Sequence, residues 1–177
     1  MTPVVSQANL TNLFMDVNKL VGQIRLHEGF KGKTYLDSTG HPTIGIGFNL
    51  SRGDAETRLR SVGANYQDVL DGTYTLSREQ AEALLKHDLD ELESAARKIV
   101  FVYDDLDDVR QRVIMDMIFN LGAYGFSQFK DTIRYICRGK YGKAADSMVD
   151  SMWAKQTKRR ARMLAEMMRY GEDVYDL

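Results

Sequence analysis

Apolar side chains recur at helical spacing through most of the chain, beginning near its N-terminus. This spacing predicts a first helix from Leu10 to about His27. The apolar positions that define it are Leu10, Leu13, Phe14, Val17, Leu20, Val21 and Ile24. Asn9 or Thr11 is the candidate N-cap. Gly29 is the candidate C-cap, so we expect the helix to stop there.

A glycine-rich stretch interrupts the helical spacing between residues 32 and 50. Thr34–Leu36 and Pro42–Gly47 alternate β-branched, aromatic and small residues, which is typical of short strands. Between them, residues 37–40 read Asp-Ser-Thr-Gly, and this composition favours a tight turn. The pattern predicts a β-hairpin, the only sheet that we expect in the chain.

Helical spacing returns after Ser51 and continues to the C-terminal region. A helix is predicted from Asp54 to about Val62, and Ser77 with Gln80 forms a capping box that opens a long helix. The segment 106–120 is apolar on most sides, which predicts a buried central helix that Gly122 ends. Further helices are expected over 127–137, 141–153 and 158–169.

These elements predict a mainly helical α+β fold. We expect a small β-hairpin lobe, joined by a long helix to a larger all-helical lobe, with a cleft between the two. The predicted parts are an N-terminal extension and helix over 1–25, a hairpin-containing small lobe over 26–75 and a helical lobe over 76–177, all within a single domain. A chain of 177 residues is long enough to bury such a core without metals or disulfides.

Composition and charge exclude several other classes of protein. With 44% hydrophobic and 28% charged residues, the chain is ordinary for a globular protein. Its 24 basic residues balance 25 acidic ones, so no basic field points to nucleic acid. The single cysteine, Cys137, lies in an apolar helical run and is expected to be buried and inert. The three histidines lack metal-ligand spacing, and we expect neither a metal nor another cofactor.

Two carboxyls and a hydroxyl carry the candidate chemistry. Glu28 lies at the end of the first predicted helix, Asp37 in the hairpin turn and Thr43 on the returning strand. Cleavage of a glycosidic bond needs one protonated and one ionised carboxyl. The side chains of Leu26 and Phe30 would desolvate Glu28 and keep it protonated, whereas the polar turn would keep Asp37 ionised. Thr43 would hold a water beside Asp37.

The strings around these residues closely resemble the phage muramidases, the family typified by T-even phage lysozyme. They are His27-Glu28-Gly29, Tyr35-Leu36-Asp37 and the run from Gly40 to Gly47, and they keep the family spacing of Glu, eight residues, Asp or Cys, five residues and Thr. The resemblance continues to the C-terminal region, through residues 106–110, 117–122, 125–132, 153, 156–157 and 160–161.

The resemblance implies a role for each matching residue. Glu28 is the general acid, Asp37 positions or activates the water, and Thr43 assists on the same face. Arg160 matches the basic residue that pairs with the catalytic glutamate and supports it. Substrate contacts are expected from Phe119, Asn120, Thr132, Gln156 and Thr157. The family inverts at the anomeric carbon, so we expect a water between the two carboxyls and no covalent sugar.

Three positions depart from the family pattern. Phe48 stands where the family commonly has a structural histidine, so we expect this difference to affect stability rather than chemistry. Asn49 follows where a leucine is common, and Arg159 adds positive charge next to Arg160. The segment before Glu28 is longer by about a helical turn or more, and its role stays open.

The resulting hypothesis is a peptidoglycan hydrolase that cleaves the β-1,4 bond between N-acetylmuramic acid and N-acetylglucosamine. Two alternatives stay open: a lytic transglycosylase, which needs only one glutamate, and an inactive cell-wall binding or virion structural module. Glu28, Asp37 and Thr43 at the family spacing argue against both.

The expected partner is peptidoglycan, bound by a monomer, and no nucleic acid is expected. The N-terminal sequence lacks the pattern of a secretory signal peptide, and no run of eighteen apolar residues occurs. We therefore expect neither export by a signal peptide nor insertion into a membrane. Two routes to the wall stay open: accumulation in the host cytoplasm followed by release through a holin, or carriage in a virion.

Overall fold

A computed structural model describes residues 15–174 and shows a mainly helical α+β fold, as predicted. Within this range, nine helices accompany a three-stranded antiparallel sheet and a short 3-10 helix at Tyr103–Asp105. The strands are β1 Lys31–Leu36, β2 Pro42–Gly45 and β3 Phe48–Asn49. The helices are α1 Val17–Glu28, α2 Ala55–Ser61, α3 Tyr66–Leu70, α4 Arg78–Ile99, α5 Asp108–Ser127, α6 Lys130–Ile136, α7 Tyr141–Val149, α8 Met152–Thr157 and α9 Arg159–Tyr170.

The chain divides into two compact units. Val21–Asp90 form the first, here called the sheet unit, and the remaining described residues form the second, the helical unit. One boundary falls inside α1 and the other inside α4. The three-part division expected from the sequence stays a prediction.

The predicted hairpin is present in the sheet unit. Tyr35 pairs with Thr43 and Leu36 with Pro42 across β1 and β2. The second strand, predicted to reach Gly47, ends at Gly45. The reason is that Gly45 and Gly47 have φ of +68° and +74°, which turns the chain at once into a third strand that was not predicted.

The core of the sheet unit lies around β2 and the first turns of α4. The side chains that are at most 1% exposed there include Ile44, Leu50, Leu59, Leu76 and Leu84. The capping box forms as predicted: Ser77 N donates to Gln80 Oε1 at 2.9 Å, and Gln80 N donates to Ser77 Oγ at 3.2 Å. Two orphan donors at the start of α4 are thereby satisfied.

Phe48, the departure from the family pattern, is part of this core. It is 6% exposed, and the guanidinium of Arg52 lies 5.1 Å from the centre of its ring. Arg52 also bonds Asp54 at 2.6 Å and Asp88 at 2.8 Å. An aromatic ring beneath a shared cation therefore lies where the resemblance implies a histidine.

Asp16 caps the start of α1, a position that the sequence pattern did not single out. Its Oδ1 accepts from Asn18 N and Lys19 N, both at 3.0 Å. The predicted caps, Asn9 and Thr11, and the predicted beginning of the helix at Leu10 lie outside the described residues. Lys19 Nζ donates to Asp173 Oδ2 at 2.8 Å, which joins two distant segments of the helical unit.

The centre of the helical unit is α5, whose residues 111–118 are all buried. Asp107 caps it, since its side chain accepts from Arg110 N at 2.9 Å. Gly122 has non-helical angles (φ 71°, ψ 162°) and kinks the helix where an end was predicted, although the chain stays helical to Ser127.

The helices that follow α5 agree with the predictions except at one place. The helix predicted over 141–153 is two helices, α7 and α8. They separate because Ser151 has extended backbone angles and its Oγ accepts from Ala154 N at 3.0 Å, which starts α8 afresh. Among residues 15–174, no helix is long and apolar enough to cross a membrane.

Candidate active site

Glu28 is the last residue of α1. Gly29 follows with a φ of +76°, and its N–H bonds the carbonyl of Arg25 at 2.9 Å, which ends the helix. The prediction that Leu26 and Phe30 desolvate Glu28 is wrong: Glu28 is exposed, Leu26 is 50% exposed and Phe30 36%. Because α1 buries Leu20 and Ile24, a residue two positions after Ile24 points to the opposite side.

Asp37 lies in the hairpin turn, as predicted. Its Oδ1 accepts three hydrogen bonds, from His41 N at 2.9 Å, Thr39 N at 2.8 Å and Thr39 Oγ1 at 2.8 Å. The amide of His41 and the hydroxyl of Thr39 lower the pKa of this carboxyl, since both donate to its charged form. Asp37 is therefore ionised at neutral pH.

Thr43 lies on β2, where it pairs with Tyr35 and is 3% exposed. Its Oγ1 donates to the carbonyl of His41 at 3.0 Å. The proton of the hydroxyl is therefore engaged, and Thr43 can act on another group only as an acceptor. The amide of the same His41 binds Asp37, so one residue fixes both predicted site residues.

Tyr35 is a site residue that sequence reasoning quoted but gave no role. Burial, followed by the charges of Glu28 and Asp37, raises the pKa of its phenol. The phenol therefore lies within electrostatic range of both carboxyls. Lys31 Nζ lies 3.9 Å from the centre of the ring, a cation–π contact on the same strand.

In the helical unit, two of the predicted site residues bond Trp153, which belongs to an aromatic contact. Asn120 Oδ1 accepts from the indole N–H of Trp153 at 2.7 Å, and Thr157 Oγ1 donates to the carbonyl of Trp153 at 2.9 Å. Trp153 is 5% exposed and meets Phe129 edge to face, with ring centres 5.9 Å apart.

Thr132 and Gln156 line a pocket of about 650 Å³ in the helical unit, with Phe129 and Trp153 in the same wall. Thr132 is fully buried and donates to Ser147 Oγ at 3.0 Å, whereas Gln156 is exposed. Phe119, predicted to touch substrate, is half-buried on α5. The contacts of these residues with a substrate stay predictions.

Arg160 belongs to a buried ion pair that the sequence analysis missed. Its Nε donates to Asp116 Oδ1 at 2.7 Å, and the two side chains are 7% and 0% exposed. The signal was an acidic residue in the middle of the most apolar helix, where an unpaired charge would be very costly. The predicted role of Arg160 in supporting Glu28 stays a prediction.

Lys158 joins α8 to α9 in a strained conformation. Its φ of 45° and ψ of −93° make it the one non-glycine with a positive φ among residues 15–174. It separates Gln156 and Thr157 from Arg160, all three of them predicted site residues. Such strain often occurs at functional sites, where surrounding structure holds it in place.

Zinc sites in proteins use three or more protein ligands. Over residues 15–174, no group of three or more histidine, cysteine, aspartate or glutamate side chains could hold an ion. The candidate chemistry there is that of the two carboxyls in the sheet unit.

Comparison with known proteins identifies lysozymes as relatives of this chain. The profile of the phage lysozyme family matches residues 25–169. A probable T4-type lysozyme of Dictyostelium discoideum is 26% identical over 88% of this chain and 96% of its own length. The endolysin of Salmonella phage P22 is 30% identical over 78% of this chain and 82% of its own.

A third relative is a much longer protein, the pre-baseplate central spike protein Gp5 of Enterobacteria phage T4. It is 27% identical over 78% of this chain, and the match spans 25% of its own length. Together the matches support a lysozyme-type peptidoglycan hydrolase. The chain belongs to the phage lysozyme family.

Proposed function

We propose that this enzyme cleaves the β-1,4 bond between N-acetylmuramic acid and N-acetylglucosamine, with inversion at the anomeric carbon. The observation that carries the proposal is the setting of Asp37. Three hydrogen bonds hold its carboxylate ionised, while Tyr35 is within electrostatic range of both Asp37 and Glu28. A base held ionised near a second carboxyl is what this chemistry requires.

In the proposed reaction, Glu28 donates a proton to the glycosidic oxygen as the bond to the anomeric carbon breaks. A water attacks that carbon from the opposite face, and Asp37 takes the proton that the water loses. Thr43 Oγ1 accepts a hydrogen bond from the same water. An inverting pair leaves about 6.5–9.5 Å between carboxyls, which is room for this water.

The remaining site residues complete the proposal. Arg160 supports the acid, and its buried partner Asp116 fixes the guanidinium at Nε. Phe119, Asn120, Thr132, Gln156 and Thr157 contact the glycan. Two observations support a glycan-binding surface in the helical unit. Asn120 and Thr157 are both hydrogen-bonded to Trp153, and a pocket lies beside Thr132 and Gln156.

Purified peptidoglycan digested by the wild type, Glu28→Gln and Asp37→Asn tests the proposal. Borohydride reduction of the wild-type digest should convert new reducing ends to muramitol, and NMR of fresh product should show the inverted anomer. Both variants should lose about 10²-fold or more in rate, because each removes a proton-transfer group. Glucosaminitol or the retained anomer contradicts the proposal.

The same digest separates the alternatives. A lytic transglycosylase gives a 1,6-anhydro product without uptake of water, so in H₂¹⁸O it takes up no label. An inactive binding module gives no soluble products but still pellets with intact peptidoglycan. Either result would overturn the hydrolytic assignment.

Two routes to the wall remain part of the proposal: release by a holin and carriage in a virion. The relative named as an endolysin supports the first, and the relative named as a central spike protein supports the second. Mass spectrometry of purified virions from a phage that encodes the chain distinguishes them, since a virion-borne enzyme copurifies at a fixed copy number.

A further inference from the structure

A second pocket, of about 660 Å³, lies in the helical unit beside α6. Phe101, Ile133 and Cys137 supply apolar lining, and we call this the α6 pocket. Phe101 is 80% exposed, so its ring is open to a ligand in this pocket. None of the predicted catalytic or substrate-binding residues lines this pocket.

Cys137 contributes its side chain to the apolar wall. The prediction that this thiol is buried is wrong, because the side chain is half-buried and lines the pocket. Burial raises the pKa of the Cys137 thiol, so it is protonated at neutral pH and adds no charge.

Three basic side chains line the same pocket. Lys130, Arg134 and Arg138 follow one another at four-residue intervals, which places them along one side of α6 and the turn after it. Arg134 bonds Asp131 at 2.9 Å, but that pair is half to two-thirds exposed and readily exchanged for a stronger partner. Among residues 15–174, no carboxylate lines the pocket, so the side chains that ionise at its rim are basic.

We propose that the α6 pocket binds an anionic amphiphile, a molecule with one acidic head and one aliphatic chain. The chain would lie against Phe101 and Ile133, replacing water on surface that is otherwise exposed. The head would bond Arg134 and Arg138, with Lys130 beside them. Apolar burial and charge-assisted hydrogen bonds would then act on one molecule. The inference is independent of the proposed hydrolytic function.

Isothermal titration calorimetry with dodecyl phosphate, kept below its micelle concentration, tests the proposal on the full chain. Inorganic phosphate supplies the head alone, and dodecyl maltoside supplies the chain with a neutral head. We expect one site for dodecyl phosphate and affinities weaker by about tenfold or more for both controls, since each lacks one of the two contributions. Dodecyl phosphate should also slow the labelling of Cys137, the one cysteine in the chain, by N-ethylmaleimide.

Variants locate the site. The double change Arg134→Gln and Arg138→Gln should weaken binding by about tenfold, whereas Arg162→Gln, an exposed cation on α9, should not change it. Phe101→Ser should weaken binding by about fivefold, with Tyr124→Ser, an equally exposed ring, as its control. All four variants should keep wild-type lytic activity, because none of these residues belongs to the proposed catalytic machinery.

Three results would overturn the proposal. If inorganic phosphate binds as tightly as dodecyl phosphate, the interaction is only ion pairing at the surface. If dodecyl maltoside binds as tightly, the pocket does not recognise an acidic head. Absence of saturable binding, with unchanged labelling of Cys137, would show that the pocket takes no such ligand.

Discussion

Asp37 and Thr43 are joined through the backbone of one residue: the amide of His41 donates to the Asp37 carboxylate, and its carbonyl accepts from the Thr43 hydroxyl. The turn therefore sets the relative positions of the proposed base and of the group that holds its water. A change at Thr43 acts on that geometry without altering any charge.

Thr43→Val should lower kcat by about tenfold to a hundredfold with little change in KM, because it removes the acceptor for the water at the transition state. The lost bond to the His41 carbonyl should also reduce the free energy of unfolding by about 1 kcal/mol. Steady-state kinetics and urea denaturation measure the two effects. Thr43→Ser keeps the hydroxyl and is the control. A loss of stability without a loss of kcat would show that Thr43 is only structural.

Thr39→Val removes one of the three donors to Asp37, so the pKa of Asp37 should rise towards its ordinary value of about 3.9. The acid limb of the kcat/KM profile should therefore move to higher pH. A lowered pKa also stabilises the fold above pH 4, and that contribution is lost as the pH falls through the folded-state value. The difference in Tm between Thr39→Val and wild type should thus shrink below pH 4. An unmoved acid limb would contradict the assignment of Asp37 as the base.

Glu28→Gln should lower the pKa of Tyr35, because the charge of Glu28 helps to raise it. NMR titration of ¹³C-labelled tyrosine, assigned with Tyr35→Phe, follows this phenol among the nine tyrosines of the chain. Glu56→Gln, on α2 and exposed, is the matched control. An unchanged Tyr35 titration would place Glu28 too far away to share a site with it.

Arg52→Gln should reduce the free energy of unfolding at pH 7 by about 1 kcal/mol, since Arg52 bonds both Asp54 and Asp88. Hydrogen bonding from Arg52 and Arg58 lowers the pKa of Asp54 to about 2. The stabilisation is therefore present above pH 4 and lost as the pH falls through 2, so wild type and variant should converge in acid. Urea denaturation at both pH values measures this. Arg60→Gln breaks an exposed pair with Glu56 and should have little effect at either pH.

Asn120→Leu should leave the buried indole N–H of Trp153 without its acceptor and cost about 1–3 kcal/mol of stability. Trp153 is the one tryptophan in the chain, so its fluorescence reports the unfolding transition directly. Asn120→Asp retains an acceptor oxygen at the same place and serves as the comparison. Equal stability of the two variants would mean that the hydrogen bond contributes little.

The sequence was informative where a structure depends on neighbouring residues. Ser77 and Gln80 form their capping box, and Asp37 lies in its polar turn, because both depend on residues within a few positions. The pattern of apolar and polar residues did not predict contacts between distant segments. Asp116 and Arg160 are 44 positions apart, and neither position predicts the other.

Errors in the predicted elements also have local causes. Helical spacing continues across Ser151, so apolar periodicity could not show that its hydroxyl starts a new helix. The alternation of small residues made the predicted second strand too long, because the sequence pattern did not show that the positive φ at Gly47 turns the chain. The prediction that Leu26 desolvates Glu28 was wrong because it relied on adjacency in sequence. The helix turns the side chain of Leu26 outward, where it is exposed.

The pairing of Lys19 with Asp173 has a consequence for the order of assembly during synthesis. The two residues are 154 positions apart, so the ribosome makes one partner long before the other. Val21–Asp90, by contrast, form one uninterrupted stretch that contains β1, β2 and β3 with their pairing. Chains fold largely in the order in which their units emerge. The strands of the sheet unit can therefore pair early, while Lys19 at the beginning of α1 waits for Asp173 after α9.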